Sequence, residues 1–257
     1  MNKIHLLDNG LINKIAAGEV VERPASVVKE LMENSIDAGA TSITVEIAEG
    51  GTSVIKITDN GKGIPKDEIR TAFMRHATSK IDSFEDLENV LTLGFRGEAL
   101  SSIASVAQVE MLTRTENDSM GTRIVINGGV VDREEECAAN VGTVFYVKNI
   151  FFNTPARRKF LKKPATEGSY ISEIVNRIAL GHPNIAIKYV NNGNIVLQTN
   201  GDGNVKNSLF YIYGKDIASK MLSLESEKDG YILKGLVGKP ELSRGNIMKT
   251  SLLMADL

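Results

Sequence analysis

The sequence predicts an α+β protein, a mixed sheet covered by helices on one face. Three observations carry that reading. A helix with one apolar arc opens after Pro24. Short alternating strands such as Ile43-x-Val45-x-Ile47 and Ile55-x-Ile57 are bounded by glycine turns. Helices and antiparallel hairpins then interleave without the steady βαβ alternation of a parallel sheet.

Residues 1–22 carry Ile15-Ala16-Ala17-Gly18-Glu19-Val20-Val21-Glu22 without a long periodic pattern, which reads equally as an arm ordered by a partner surface or as a packed turn. The stretch 24–39 is one helix, with Pro24 suited to its first turn and Gly39 to its C-terminal cap. At about 100° per residue, Val27, Val28, Leu31, Met32 and Ile36 share one arc. Glu30 and Asn34, four apart, stack at the edge of that arc, whereas Lys29 and Glu33 point to solvent. Two strands follow, turning at Gly50-Gly51, and the second ends at Asp59. Asp59 has the parity of Ile55 and Ile57, so its carboxylate faces the core, an expensive place for a charge without donors. Asn60-Gly61-Lys62-Gly63 is a tight turn, and Pro65 opens a short helix through Phe73. A helix with Leu100, Ile103 and Val106 inward precedes strands at 107–114, 121–127, 130–135 and 142–149. A basic helix over 155–163, a longer one over 167–180 and a hairpin turning at Asn191-Asn192-Gly193-Asn194 complete the first unit. Gly201-Asp202-Gly203-Asn204 reads as a linker, dividing the chain into 1–203 and 204–257. The second part begins with a helix over 205–213 and strands near 219–224 and 231–238.

At 257 residues there is room for one large domain or a domain with a smaller companion. A formal charge of −2 gives no global attraction to nucleic acid, so any such contact needs a local basic patch. A single cysteine, Cys137, excludes an internal disulfide and suits a reducing compartment. With His5, His76 and His182 scattered, no zinc site forms. No stretch approaches the roughly 20 apolar residues of a membrane span, and no signal peptide is visible. The expectation is a soluble, cytoplasmic protein.

Four pieces have chemistry in common: Glu30-x-x-x-Asn34, Asp59-x-Gly61-x-Gly63, Thr78-Ser79-Lys80, and Gly94-Phe95-Arg96-Gly97-Glu98-Ala99-Leu100. Each has a job in handling a nucleoside triphosphate. Magnesium takes hard oxygen ligands and keeps water, so the Asn34 amide oxygen plus phosphate oxygens suffices. Glu30, one turn away, is placed to deprotonate an attacking water. Asp59 can accept from the exocyclic amine of adenine, while Gly61 and Gly63 allow close backbone approach. The glycine-flanked stretch 94–97, opening a helix, offers backbone amides to phosphates, with Arg96 and Lys80 to offset their charge. No Gly-x-x-x-x-Gly-Lys-Ser/Thr is present, which excludes a P-loop.

In this order the four pieces resemble the ATP site of the GHKL superfamily, which includes gyrase B subunits, Hsp90 chaperones, histidine kinases and MutL proteins. Within it, the stretches 15–24 and 75–80 (Arg75-His76-Ala77-Thr78-Ser79-Lys80), the 94–100 motif, and Phe152-Asn153-Thr154-Pro155-Ala156-Arg157-Arg158-Lys159-Phe160-Leu161 resemble the MutL family of DNA mismatch repair proteins. The similarity runs from Ile4 to Asn246. The resemblance implies Glu30 as general base, Asn34 as magnesium ligand and Asp59 as adenine reader. It places Thr143 near Asp59, has Gly63 support the base, and sets Ala38 and Phe73 against the nucleotide. It implies a nucleotide lid formed by Thr78, Ser79, Lys80, Gly94, Phe95, Arg96, Gly97, Glu98, Ala99 and Leu100, with His76 as a hinge. It further implies ATP and Mg2+ as cofactors, slow hydrolysis that switches a homodimeric clamp, and a ribosomal-S5-like second domain, here truncated. A MutS-like mismatch recognition protein and DNA are the implied partners.

Arg157, Arg158, Lys159, Lys162 and Lys163 form a separate basic cluster. It reads either as a solvated helix face or as a non-specific, salt-dependent phosphate contact. Little aromatic interleaving accompanies it, so base stacking is not indicated. Two rival functions share the fold: a gyrase-B-like subunit, disfavoured by the 15–24 and 152–161 motifs, and a nucleotide-regulated scaffold with negligible hydrolysis. A kinase is disfavoured because no phospho-acceptor histidine module accompanies the site.

Through Ser243-Arg244-Gly245-Asn246 the sequence follows the MutL pattern, and a strand of the type Phe-Val-Asn-Gly-Arg is expected next. The chain instead reads Ile247-Met248-Lys249-Thr250-Ser251-Leu252 onward. With AT-rich codons the alternative frame from Asn246 can read Tyr-Tyr-Glu-Asn-Phe-Phe-Val-Asn-Gly-Arg, so a one-base frameshift is expected. The nucleotide sequence checks this: an intact frame encoding residues 247–257 within a longer gene would rule it out.

Overall fold

The computed structural model describes Gly10 and residues 17–18, 20–78, 97–228 and 231–242. The expectations for Ser79, Lys80, Gly94, Phe95 and Arg96, and for the tail after 242, fall outside these residues.

Helix α1 runs Pro24–Asp37, and the apolar arc fixes its rotation: Val27, Val28, Leu31 and Met32 are all buried. Ala38 caps it, and Gly39 turns the chain away in a left-handed conformation with φ +75°. Ahead of it, Ala17 and Val21 are fully buried and joined by a Val21 N–H bond to the Ala17 carbonyl (2.8 Å), so this part is a packed turn.

Strands β1 (Ser42–Ala48), β2 (Val54–Asp59), β3 (Gln108–Arg114), β4 (Gly121–Asn127), β5 (Val130–Cys137), β6 (Gly142–Lys148), β7 (Ala186–Asn191) and β8 (Asn194–Gln198) form one sheet in the order β5-β4-β3-β6-β2-β1-β7-β8. All neighbours are antiparallel except β1 and β7, so the sheet is mixed, as expected. Its cross-strand register sorts the inner face into rungs. One reads Ile57–Phe145–Met111–Ile124 and the next Ile55–Val147–Val109–Ile126, every member buried. A third, at the sheet's end, reads Asp59–Thr143–Thr113–Thr122 and is equally buried but polar throughout. The opposite face carries charges paired across strands, such as Lys56–Glu46 (2.6 Å) and Arg123–Glu110 (2.8 Å).

Helices cover the inner face. α2 (Ile69–Ala72), α3 (Ala99–Val106) and α5 (Pro164–Gly181) join α1 and the inward strand residues in one continuous core, while α4 (Pro155–Phe160) buries none of its residues. Two helices are shorter than the sequence suggests. The segment after Pro65 is turn until Ile69, so α2 is barely one turn. The basic segment stops at Phe160 because Pro164 holds Lys163 extended (ψ 149°) and Leu161 leaves the helix (ψ 141°). Conversely, Pro164 starts α5 three residues earlier than periodicity alone indicates. Beyond Gly203 lie α6 (Val205–Tyr213), α7 (Lys215–Ala218) and a separate two-stranded sheet of β9 (Met221–Lys228) and β10 (Tyr231–Gly238). Leu222, Leu224, Tyr231, Ile232 and Leu233 are exposed on that hairpin. Among the described residues no helix is long and apolar enough to cross a membrane.

The central rung sets the stability of the sheet. Ile57→Ala should destabilise the protein by about 2–5 kcal/mol, a lost side chain plus a cavity. Thr44→Ala on the outer face should change it by less than about 0.5 kcal/mol. Urea denaturation midpoints of the two variants check the contrast.

Candidate functional site

The polar rung lies beneath the C-terminal half of α1, and Asp59 is its centre. The carboxylate is 8% exposed and accepts three hydrogen bonds from three elements. Ser35 Oγ on α1 lies 2.9 Å from Oδ2, while the Gly61 and Thr143 amides donate to Oδ1 at 2.9 and 3.3 Å. These occupy three of the roughly four acceptor positions of a carboxylate. Burial pushes the Asp59 pKa up, and the three donors oppose it without cancelling it. The rung continues through Thr143 Oγ1, 3.1 Å from Thr113 Oγ1. The Thr113 hydroxyl also accepts from the Ile64 amide at 2.9 Å and lies 3.1 Å from the Gly142 carbonyl.

The turn after β2 is bound to the end of α1. Asn60 Oδ1 accepts from the Thr41 and Ser42 amides (2.9 and 2.8 Å), and the Lys62 amide donates to the Ala38 carbonyl at 3.0 Å. Gly63, at φ +72°, admits no side chain, since a Cβ would sit 2.2 Å from the Arg114 carbonyl oxygen. Its glycine is thus required by packing, whatever else approaches it. Ala38 is half-buried beside this turn, and Phe73 is half-buried and packed on the core.

Glu30 and Asn34 lie half-buried at the border of the apolar arc, the Glu30 side chain 27% exposed with Lys29 Nζ at 3.6 Å. Glu33 corrects the helical wheel: its side chain is only 14% exposed and Lys29 Nζ binds it at 2.9 Å. Burial raises the Glu33 pKa against the pull of that lysine. Wheel geometry misses this because it ignores what lies across from the helix.

Thr78 and Gly97 bracket the stretch outside the described residues. Gly97 (φ +62°) backs onto Ala77, whose carbonyl oxygen would lie 2.6 Å from a Cβ there. Glu98, before Ala99 and Leu100 of α3, takes Arg75 Nη2 at 3.5 Å and lies 3.3 Å from His76 Nδ1. His76 lies in the left-handed region at φ +63°. The basic cluster divides. Arg158, Lys159, Lys162 and Lys163 are exposed, whereas Arg157 is turned inward against Gly18, whose Cβ position lies 2.4 Å from Arg157 Nη2. Three polar residues of the site were not singled out from sequence, Ser35, Thr113 and Thr122. Ser35 sits beside Asn34 on α1, which was a signal; Thr113 reaches Asp59 only through strand pairing.

No group of three or more histidine, cysteine or carboxylate side chains that could hold a metal occurs among the described residues. A divalent ion here would have to draw most of its ligands from phosphate and water, with Asn34 as the neutral protein oxygen, and the donor set fits that.

Residues 22–141 match the family described as histidine kinase-, DNA gyrase B-, and HSP90-like ATPase. The chain is 55% identical over 246 residues to the DNA mismatch repair protein MutL of Agathobacter rectalis, across 96% of this chain and 38% of that protein. It is 51% identical over 246 residues to MutL of Caldanaerobacter subterraneus subsp. tengcongensis, across 96% of this chain and 42% of that protein. It therefore spans about two fifths of the length of these curated relatives. The Aquifex aeolicus MutL ATPase domain complexed with ADP has the same fold, with TM-score 0.70 and 30% identity over 88% of this chain and 80% of that one.

Because folding raises the Asp59 pKa, its contribution to stability is full below the ordinary value of 3.8 and is lost as pH rises through the raised folded value. Asp59→Asn does not titrate. The melting temperature of Asp59→Asn relative to the parent should therefore climb as pH rises above 3.8 and through the raised folded value. Thermal melts across that range check this, and a flat or falling difference would contradict it.

Proposed function

The chain belongs to the MutL family of DNA mismatch repair proteins, within the histidine kinase-, gyrase B- and HSP90-like ATPases, and from that premise we propose that it binds and slowly hydrolyses ATP on the α1 side of the polar rung. The observation that carries the reading is the desolvated Asp59 carboxylate, held by three donors with an acceptor position to spare. An exocyclic amine fills such a position, and a carbonyl is repelled by it, which selects adenine over guanine. Gly63 and Thr143 flank the base, with Ala38 and Phe73 along its edge. Thr78 and the 97–100 stretch face the phosphates.

Glu30 takes the proton from the attacking water as its oxygen bonds to the γ-phosphorus and the bond to the β–γ bridging oxygen breaks, releasing ADP. Asn34 would hold Mg2+, which when bound offsets charge on the phosphates. Hydrolysis switches a homodimer between open and closed clamps that link a MutS-like mismatch recognition protein to DNA in the cytoplasm. Residues 1–203 form the ATP-binding domain, and 204–257 part of an S5-like second domain. The exposed apolar residues of β9 and β10 support an incomplete second core.

Glu30→Ala should retain ATP binding and lower single-turnover hydrolysis about 100-fold or more, the contribution of a general base. Asp59→Asn should weaken binding itself about tenfold or more. Equilibrium nucleotide binding measured beside single-turnover hydrolysis separates the two. Wild-type turnover in Glu30→Ala would remove Glu30 from its role. Tight binding with no turnover in the parent would favour the scaffold reading instead.

A further inference from the structure

The turn that carries the basic cluster presents an aromatic ring to solvent, which reverses the expectation from the sequence that base stacking is not indicated there. Phe160, the last residue of α4, is 82% exposed, the most exposed of the large hydrophobic side chains described. Four exposed cations flank it in sequence, Arg158, Lys159, Lys162 and Lys163, and none makes an ion pair among the described residues. The frame beneath them is fixed. Leu161 packs on the core. Glu167, 1% exposed in the first turn of α5, accepts the Lys162 amide at 2.9 Å. Pro164 starts α5 directly after Lys163.

We propose that Phe160 is a stacking platform for an unpaired nucleobase, held between cations that track the strand's phosphates, so that this turn is a single-stranded DNA site. The proposal rests on the reading that this protein binds DNA. Charge complementarity selects the occupant. A second copy seated on the same face would bring like charges together, whereas a polyanion neutralises them. An exposed ring among them adds contact only for a partner with flat apolar faces, which single-stranded bases have and a duplex conceals. One aromatic residue at the end of a six-residue helix is too little apolar surface to seat in a bilayer.

The test is fluorescence anisotropy with the whole protein, titrated into an oligothymidylate and, separately, into an abasic deoxyribose-phosphate strand of equal length. Phe160→Ala should lower affinity for the oligothymidylate about tenfold and leave the abasic strand unchanged, with the same salt slope. Phe160→Tyr should restore it. The double variant Lys162→Ala/Lys163→Ala should weaken both strands and reduce the salt slope by about 1.4. Equal losses on both strands in Phe160→Ala, or no loss, would overturn the stacking role while leaving phosphate binding in place. No change in the lysine variant would remove DNA from this turn altogether. Phe160-dependent binding to phosphatidylserine vesicles without binding to the oligothymidylate would overturn the proposal in favour of a membrane.

Discussion

The burial of one charge constrains the rest of this structure. An ionised carboxylate on the helix-covered face of a sheet costs several kcal/mol unless donors replace its water. Asp59 finds them on three separate elements: Ser35 of α1, the Gly61 amide of the turn, and the Thr143 amide of β6. Solvating one group therefore fixes the position of a helix, a turn and a strand relative to each other. Each supplier depends on a local feature. Gly61 leaves no Cβ to collide with Ala38, and Gly142, at φ +115°, passes so close to Asp59 that a Cβ would lie 2.2 Å from its carbonyl oxygen.

Helix α1 meets this constraint because its two faces are fixed together. Val27, Val28, Leu31 and Met32 hold the apolar arc against the sheet, and each such side chain adds roughly 1.5–3 kcal/mol by leaving water. That packing sets the helix rotation far more firmly than any polar contact along its edge. Once it is set, Ser35 must lie over β2, and Glu30 and Asn34 must lie at the border. The site is thus oriented by the core, and its polar groups need no flexible search to meet.

Much of this was visible in the sequence because it is periodic and local. The parity of Asp59 with Ile55 and Ile57 placed its carboxylate inward, and the spacing of Glu30 and Asn34 put both on one edge. What was not legible depends on contacts between distant segments. Thr113 and Thr122 join Asp59 in one rung only through the register of β2, β6, β3 and β4. The burial of Glu33 and the inward turn of Arg157 depend on neighbours that a helical wheel does not contain. The length of the basic helix was misjudged for a more local reason. Pro164 restricts the residue before it, and that steric rule outweighs the helix-forming character of Lys162 and Lys163.

The same proline marks how the fold separates the polar rung from the basic turn. The polar rung is built from strand ends and a long helix, with its residues paired in the ladder of the sheet. The basic turn lies outside that lattice, in a chain that has left one helix and not yet begun the next. Such a segment would ordinarily be loose, and a loose cluster of long cationic side chains loses much of any binding energy to ordering. Here the Glu167 carboxylate accepts the Lys162 amide, Pro164 fixes the entry to α5, and Leu161 is anchored in the core. The backbone is ordered before any ligand arrives, leaving only side-chain freedom to be lost. A buried carboxylate lies at each surface, Asp59 with three donors and Glu167 holding a turn, and misplacing either element would leave its carboxylate without those donors.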